Sequence, residues 1–483
     1  MSDSNRLQLA RVTETTIGTT PGTPSMTKVR VTGENFVYDI SNVVSEEIRN
    51  DRLTPDLIQV GGRVNGGFNF EMSYGAFDEE IESAMFSTWD TTPVILNLTS
   101  DSSITQVTDS SDTFTVDTGL GTPFVAGHLV RSSGFTNAAN NQLFRVASST
   151  GTTVVGSSLT LTDEAAPPAG ARLKVVGFEG ASGDITATST GLGSTSLNFT
   201  TLGLAVGQWI KIGGTAAGTR FATSALNDFA RITAIAATAL TLDNRPSGWT
   251  TDAGTSKTIQ VWASDFIRVG TTKKAFSYEK VILSQDTPYY QVFKGCIVNS
   301  MALSFAANRI LTGTFDYIGF NAAGSTSPQD ANPDEAAQND VLSASANVGR
   351  IAEAGAVAGS PNYIQEVSFT LNNNLREQVA VGTLGLVGHG VGRAEVTGSL
   401  RAYFGSSALL DKYLNNTETS LNIRVAKGGK AQVHTFPRVK FSSANANAAG
   451  GNQDVEQNIN FTALRDSTTL TNYQIDRFEE YVA

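Results

Sequence analysis

Cysteine occurs once, at Cys296, and histidine only at His128, His389 and His434. One thiol cannot close an internal disulfide, and three scattered imidazoles give no zinc-ligand spacing, which points away from disulfide scaffolds and from His/Cys metal catalysis. Charged residues make up only 16% of the chain, and the basic ones are the scarcer: 34 Lys and Arg against 45 Asp and Glu, for a net charge of -11. A surface built to hold nucleic acid would be basic. The balance still admits a protein that DNA passes without adhering. No apolar run approaches the roughly 18 residues of a membrane-spanning helix. The N-terminus, MSDSNRLQLARVTETT, has neither a basic start with an apolar core nor a small-residue cleavage site. The expectation is a chain made and folded in a cytoplasm, with no membrane partner.

What is abundant is glycine, at 46 of 483 residues, with threonine and serine between short apolar runs. That texture is mainly β. The length suggests about three or four domains of ~100 to 150 residues each.

One unit occurs twice. GRVNGGFNFEMSYGAFDEEIESAMFSTW (62–89) is matched by GRAEVTGSLRAYFGSSALLDKYLN (392–415). In each, a Gly-Arg pair with Arg63 or Arg393 precedes alternating apolar positions, Phe68, Phe70, Met72 and Tyr74 in one, Leu400, Ala402 and Phe404 in the other. This is the period of a half-buried strand. An aromatic-glycine step then leads into a short helix, capped by Asp78 in the first copy and by Ser406 or Ser407 in the second. Ile81, Ala84 and Met85, and Leu409, Leu410, Tyr413 and Leu414, supply the apolar stripes. A strand-turn-helix occurring twice implies a duplicated domain.

Along the chain, residues 1–30 read as an extended arm, because Pro21 and Pro24 oppose regular pairing; it lies on a neighbouring subunit or covers its own domain. SEEIRNDRL (45–53), with Arg49, reads as a solvated loop, and TPVILNLT (92–99) as a strand. From 100 to 264 two segments resemble each other, FTVDTGLGTPFVAGHLVRSSG (114–134) and LNFTTLGLAVGQWIKIGG (197–214), which suggests two small β modules inserted in tandem. Residues 273–319 and 418–464 then share a strand-turn-strand order. The resulting division is a first repeated domain over 1–99 and 265–320, modules over 100–180 and 181–264, a polar linker over 321–355 holding one helical turn, and a second repeated domain over 356–483. The fold class is mainly β: two tandem sandwich or barrel domains, each with a short helix, plus two small inserted all-β modules.

Nothing carries a catalytic constellation. GHGVGR (388–393) lacks dinucleotide spacing, and GGTAAGTR (213–220) lacks the lysine of a phosphate loop. Asp78-Glu79-Glu80 reads as a helix first turn and Glu479-Glu480 as a solvated terminus rather than a glycosidase pair. His434 has no local nucleophile, and Cys296 reads as a small core residue. No catalytic residue, cofactor or metal is assigned. Duplicated β domains with neutral, Thr-rich strands favour an assembly protein.

The segments TETTIGTTPGTP (13–24), SEEIRNDR (45–52), 62–85, FKGCIVNSMAL (293–303), VTGSLRAYF (396–404), FPRVKF (436–441) and NINFTALRD (458–466) together resemble the tail tube proteins of long non-contractile-tailed bacteriophages, the siphophage major tail proteins. The resemblance covers both halves outside 100–265. It implies tail-tube-like sandwich domains, self-association into stacked rings, a virion tail assembled in the host cytoplasm, and contact with tape measure, distal tail and terminator proteins. Genomic DNA would meet the chain only in transit. Tube rings are sixfold in single domains, so two domains per chain favour a trimeric ring of pseudo-sixfold symmetry, with a hexamer as the alternative. Pro21, Pro24, Arg49, Arg63, Phe68, Phe70, Tyr74, Ile81, Arg393, Leu400, Phe404 and Leu410 are the candidate assembly residues. An adhesin or receptor-binding protein using the two inserted modules is the alternative function; a virion glycan depolymerase and a capsid or decoration protein are further rivals.

Overall fold

Two copies of one strand order build both ends of the chain. In the computed structural model, which describes residues 4–90, 95–97, 103–283, 286–357, 363–448 and 450–481, the first copy contains β1 (Leu7–Thr13), β2 (Val37–Val44), β3 (Leu57–Glu71), α1 (Asp78–Met85), β4 (Asp265–Arg268), β5 (Phe276–Ile282), β6 (Tyr290–Ala306), β7 (Thr312–Gly319) and β8 (Asn321–Ser325). The second contains β9 (Val348–Glu353), β10 (Ile364–Asn372), β11 (Glu395–Tyr403), α2 (Ala408–Leu414), β12 (Thr419–Lys427), β13 (Lys430–Asn447), β14 (Glu456–Ala463) and β15 (Gln474–Phe478).

Each copy is organised by one long strand that serves two sheets. The first half of β6 pairs with β5 and β8, and its second half with β7, followed by β3 and β2. The first half of β13 likewise pairs with β12 and β15, and its second half with β14, followed by β11 and β10. A bulge lies between Phe276 and Tyr278 in one copy and between Thr419 and Leu421 in the other, where an extra residue re-aims the strand toward its second sheet. The copies are joined edge to edge, because β6 also pairs with β10, Ser300 opposite Asn372 through Ala306 opposite Glu366.

Alternation puts one face of this joined sheet into the core. Across successive strands Phe68, Phe315, Met301, Leu371, Val396, Ala463 and Val439 stand opposite one another, all buried. In the next row, Phe70, Leu303, Phe369, Phe461 and Phe441 alternate with Gly313 and Gly398. The glycines make room: a Cβ on Gly313 would stand 2.3 Å from the Phe70 ring, and one on Gly398 2.4 Å from Phe461. Ile81, Ala84 and Met85 of α1 pack into the same cluster as Phe68, Phe70 and Met72.

Ile95–Asn97 and twelve strands within 104–263 form a separate 13-stranded sheet with two cores, one from Ile104 to Val175 and one from Phe178 to Val261. The strand Arg172–Glu179 bridges the halves, pairing with both His128–Ser133 and Gln260–Ala263. This central segment leaves the chain after α1, yet docks on the second copy. Leu129, Val176, Trp209, Phe229 and Trp262 pack against Ala431, Val433 and Phe478, and β4 pairs with β15.

Several expectations need correction. The 1–30 arm is not free of pairing, since β1 pairs with β5 along seven residues, and Glu14, Thr20 and Met26 bond to its own chain through Ser277, Gly295 and Asp330. The alternating Leu7, Leu9 and Arg11 pattern outweighs the prolines, which lie beyond it. The 321–355 linker holds its helical turn at Ala344–Asn347, but β8 and β9 make its ends sheet. Asp78 is not the N-cap of α1; Phe77 is, with no side-chain cap bond, and Asp78 instead bonds Arg477. Ser407 holds the N-cap place of α2 without a side-chain cap bond and instead bonds the Asp411 carboxylate. In α2 only Leu409 is buried, while Leu414 is 67% exposed. Of the strand expected over 92–99, Ile95–Asn97 pairs with Arg172–Lys174; the remainder lies outside the described residues.

Candidate assembly surface

The core rows fix what the opposite face must be. Between them, Thr312, Ser304, Ser368, Ser399, Asn460 and Ser443 face one another on six successive strands. A parallel row is Asn69, Thr314, Ala302, Thr370, Thr397, Thr462 and Lys440. Side chains link along the rows: the Ser368 and Ser399 hydroxyls are 2.9 Å apart, Thr314 Oγ1 donates to Asn69 Oδ1 at 2.7 Å, and Asn460 Nδ2 donates to Ser443 Oγ at 2.8 Å. Cross-strand pairs of this kind stiffen a sheet. Apart from Lys440 at one end these rows are neutral, and charges flank them: Asp316 and Glu395 at one side, Glu71, Glu366, Arg401 and Glu456 at the other, with Arg401 bridging Glu366 and Glu456. A trough of about 670 Å3 runs along this face.

The continuous order is β2, β3, β7, β6, β10, β11, β14, β13. It has two ends. β6 takes partners on both edges of its second half, whereas among the described residues 440–447 of β13 pair only with β14. At the other end, again among the described residues, Gly33–Glu34 and β2 pair only with β3. Both edges are long, and unpaired backbone donors and acceptors on such edges invite another strand.

Two matching hairpins project from this sheet, one joining β2 to β3 at its end and one joining β10 to β11 in its middle. The one from β2 to β3 exposes Val43, Val44, Ile48, Leu53, Leu57, Ile58 and Val60, with Ile48 98% exposed. Its counterpart, 373–392, is seated on the first copy. Asn373 donates to the carbonyls of Ala84 and Val298, Leu375 N to Asn299 Oδ1, and Lys273 Nζ to the carbonyl of His389, whose ring stacks on Phe320 at 4.7 Å.

The candidate assembly residues do not converge on one patch. Phe68, Phe70, Ile81 and Leu400 are core, while Tyr74, Phe404 and Leu410 are half-buried. Pro21 and Pro24 lie half-buried on their own chain. Arg49 bonds Asp51 within the exposed loop, Arg393 bonds Glu395, and Arg63 bonds Glu377 of the seated hairpin. What the sequence reading passed over was the Ser/Thr/Asn face, although TGTFD, SFTLN, VTGSL and NINFT carry it in alternate letters.

Buried charges hold the parts in place rather than performing chemistry. Glu79 and Glu80 of α1 bond Arg11 of β1; burial pushes the Glu80 carboxyl up, and Arg11 opposes the rise. The Glu479-Glu480 terminus, expected to be solvated, is clamped to the central segment: Glu479 meets Arg172 at 2.7 Å and Lys174 at 2.9 Å, and Glu480 meets Arg131 at 2.7 Å. Burial raises Glu479, yet its cationic partners carry it down to about 2. Asp476, wholly buried, is raised by burial to about 6 despite bonds from Ser264, Trp209 N and Gln474. Burial likewise depresses His434 to about 3 and His128 and His389 to about 4. Among the described residues no group of His, Cys, Asp and Glu could hold a metal ion, and no helix is long and apolar enough to cross a membrane.

A family model described as phage tail tube protein matches this chain twice in tandem, over residues 4–244 and 193–463. The curated proteins offer no match.

Proposed function

This chain belongs to the phage tail tube protein family, and we propose that its copies close edge to edge into rings that stack as the tail tube, the channel for DNA during ejection. As a member of that family it is a structural, non-enzymatic component of the virion tail.

One observation carries the ring: the join of β6 to β10 within the chain. It is a worked example of one repeat extending the sheet of the next. The free edge of β13 repeats the situation of β6, and the free 33–44 edge leads the first repeat as β10 leads the second. Joining the two across copies removes both exposed edges, as closure of a barrel requires. Each copy supplies eight strands in continuous order, so three copies give a ring of six repeats. Six repeats match the sixfold ring that the resemblance implies, which favours a trimer over a hexamer.

The Ser/Thr/Asn face becomes the channel wall. Neutral hydroxyls and amides bordered mainly by carboxylates offer DNA phosphates no field of cations to condense on, so the counterion-release gain that makes basic proteins bind DNA is missing. Tape measure protein would occupy the channel before DNA does, and distal tail and terminator proteins would meet the ends of the stack, with assembly in the host cytoplasm.

The test is electron microscopy of the purified full-length protein at high concentration, with native mass spectrometry of single rings. Tubes whose rings contain three chains are expected. Six chains per ring would overturn the trimer, and a protein that stays monomeric would overturn the assembly reading.

A further inference from the structure

Between the central segment and the second repeat lies an open groove of about 1140 Å3, walled by Pro246 and Trp249 on one side and by Glu418, Pro437, Arg438 and Asp466 on the other. It does not belong to the channel wall. We propose that this groove seats the 37–60 hairpin of the adjacent copy in the ring, an inference that rests on the edge-to-edge ring proposed above.

The molecule contains the pattern for that contact. In the first repeat the 373–392 hairpin sits on four features: the end of α1 at Ala84, the approach to β5 at Lys273, the middle of β6 at Val298 and Asn299, and Phe320 just beyond β7. The matching bulges fix the equivalents. Lys273 precedes the Phe276 bulge by three residues, as Asn416 precedes that at Thr419. The end of α2 is Leu414, 67% exposed, and the stretch beyond β14 runs to Asp466. Glu418, Arg438 and Asp466, which line the groove, thus belong to the surface that corresponds to the occupied seat, and among the described residues no hairpin is seated there. The hairpin that would fill it is the counterpart of the seated one, at the opposite end of the continuous sheet, with a run of exposed apolar residues between β2 and β3. Once the 33–44 edge joins β13 of a neighbour, the hairpin that follows it is delivered to that neighbour's second repeat.

The central segment changes the seat. The first repeat seats its guest with its own residues, whereas here Pro246, Trp249 and the Arg245 guanidinium lying 5.8 Å over the Trp249 ring add a wall from the central segment. Charges on the hairpin loop, Glu46, Glu47, Arg49, Asp51 and Arg52, meet a groove bearing both signs. The inserted modules would then grip the ring neighbour as well as project outward.

The test is cross-linking of the full chain carrying Gln59→Cys and Asn416→Cys, both exposed positions, with a short bis-maleimide; Cys296 is wholly buried. Gln59 stands on the same arm of its hairpin as His389 does. Assembled protein is expected to give a covalent ladder ending at the ring size, with the 59–416 peptide pair identified by mass spectrometry. A Ser110→Cys and Asn416→Cys protein, with one site far out on the central segment, is expected to give none. Tubes visible by microscopy but unlinked at 59–416, or linked equally through 110, would overturn this contact and leave the ring standing. No tubes or rings at all would overturn both.

Discussion

The indole Nε1 of Trp209 donates to Thr435 Oγ1 at 2.9 Å in the protein interior, across 226 residues of sequence. Trp209 belongs to the central segment and Thr435 to β13, so this bond and the surrounding Trp262, Phe229 and Phe478 contacts weld the insertion to the second repeat. Trp209→Ala removes a fully buried aromatic and should cost about 3–5 kcal/mol. Limited proteolysis checks the location: cleavage should rise first at 264–275 and after 479, where the segment joins the repeats.

The glycines in the aromatic row set a second expectation. Gly313→Ala places a methyl against the Phe70 ring and Leu303, and should cost about 1–3 kcal/mol by overpacking. Gly61→Ala, where nothing lies within 4 Å, should leave the denaturant midpoint unchanged.

Arg11→Met strands Glu80, which has no exposure, without its cation. Breaking one side of a buried pair should cost about 3–5 kcal/mol. The same change at Arg49, whose pair with Asp51 is in the exposed loop, should not shift the chemical-denaturation curve measurably.

Stability should fall in mild acid. His434, held near 3 by burial against an ordinary value of 6.5, is neutral in the fold and takes a proton only on unfolding. Its contribution is full above pH 6.5 and is lost as pH falls toward 3, at up to about 1.4 kcal/mol per pH unit. His128 and His389 act in the same sense down to about 4. Asp476, raised to about 6, acts oppositely: its contribution is full below 3.8 and fades as pH rises through 6. Glu80, raised by burial, acts with Asp476, while Glu479, held near 2, acts with the three histidines, and the histidines set a net loss on acidification. Thermal melts of His434→Phe between pH 4 and 7 should show a shallower dependence than the parent.

Thr370→Lys with Thr397→Lys sets two cations side by side on the neutral face without touching the core. Tubes should still form, but they should retain DNA at low salt and release it as salt rises, measured by filter binding. Unaltered DNA retention would argue that this face is not the channel wall.

Much of this was legible in the letters. The repeat could be read from Gly-Arg, alternation and the aromatic-glycine step, because strand period and turn chemistry are local. The polar face is equally local, written in the letters that alternate with the apolar ones. The fate of the charged residues was not legible. Asp78 satisfies every local rule for a helix cap, yet Arg477 claims it from the far end of the chain, and Glu479 meets Arg172 across 307 residues. Such partners are chosen by the packing of distant segments. That the arm covers its own domain was one of the two readings; the pairing of Leu7–Thr13 was legible too, because Pro21 and Pro24 lie beyond that stretch.

Duplication alone predicts a polypeptide that survives division at 326–343 into two half-length products, each with its own long strand and helix. This one should not. The central segment is threaded through the first half of the reading frame but rests on Val433 and Phe478 of the second, and β4 of the first half completes the edge of β15. Cutting the gene there would strip one product of its cover and leave the other carrying a cover with nothing beneath it, so the duplication is locked into a single translation unit.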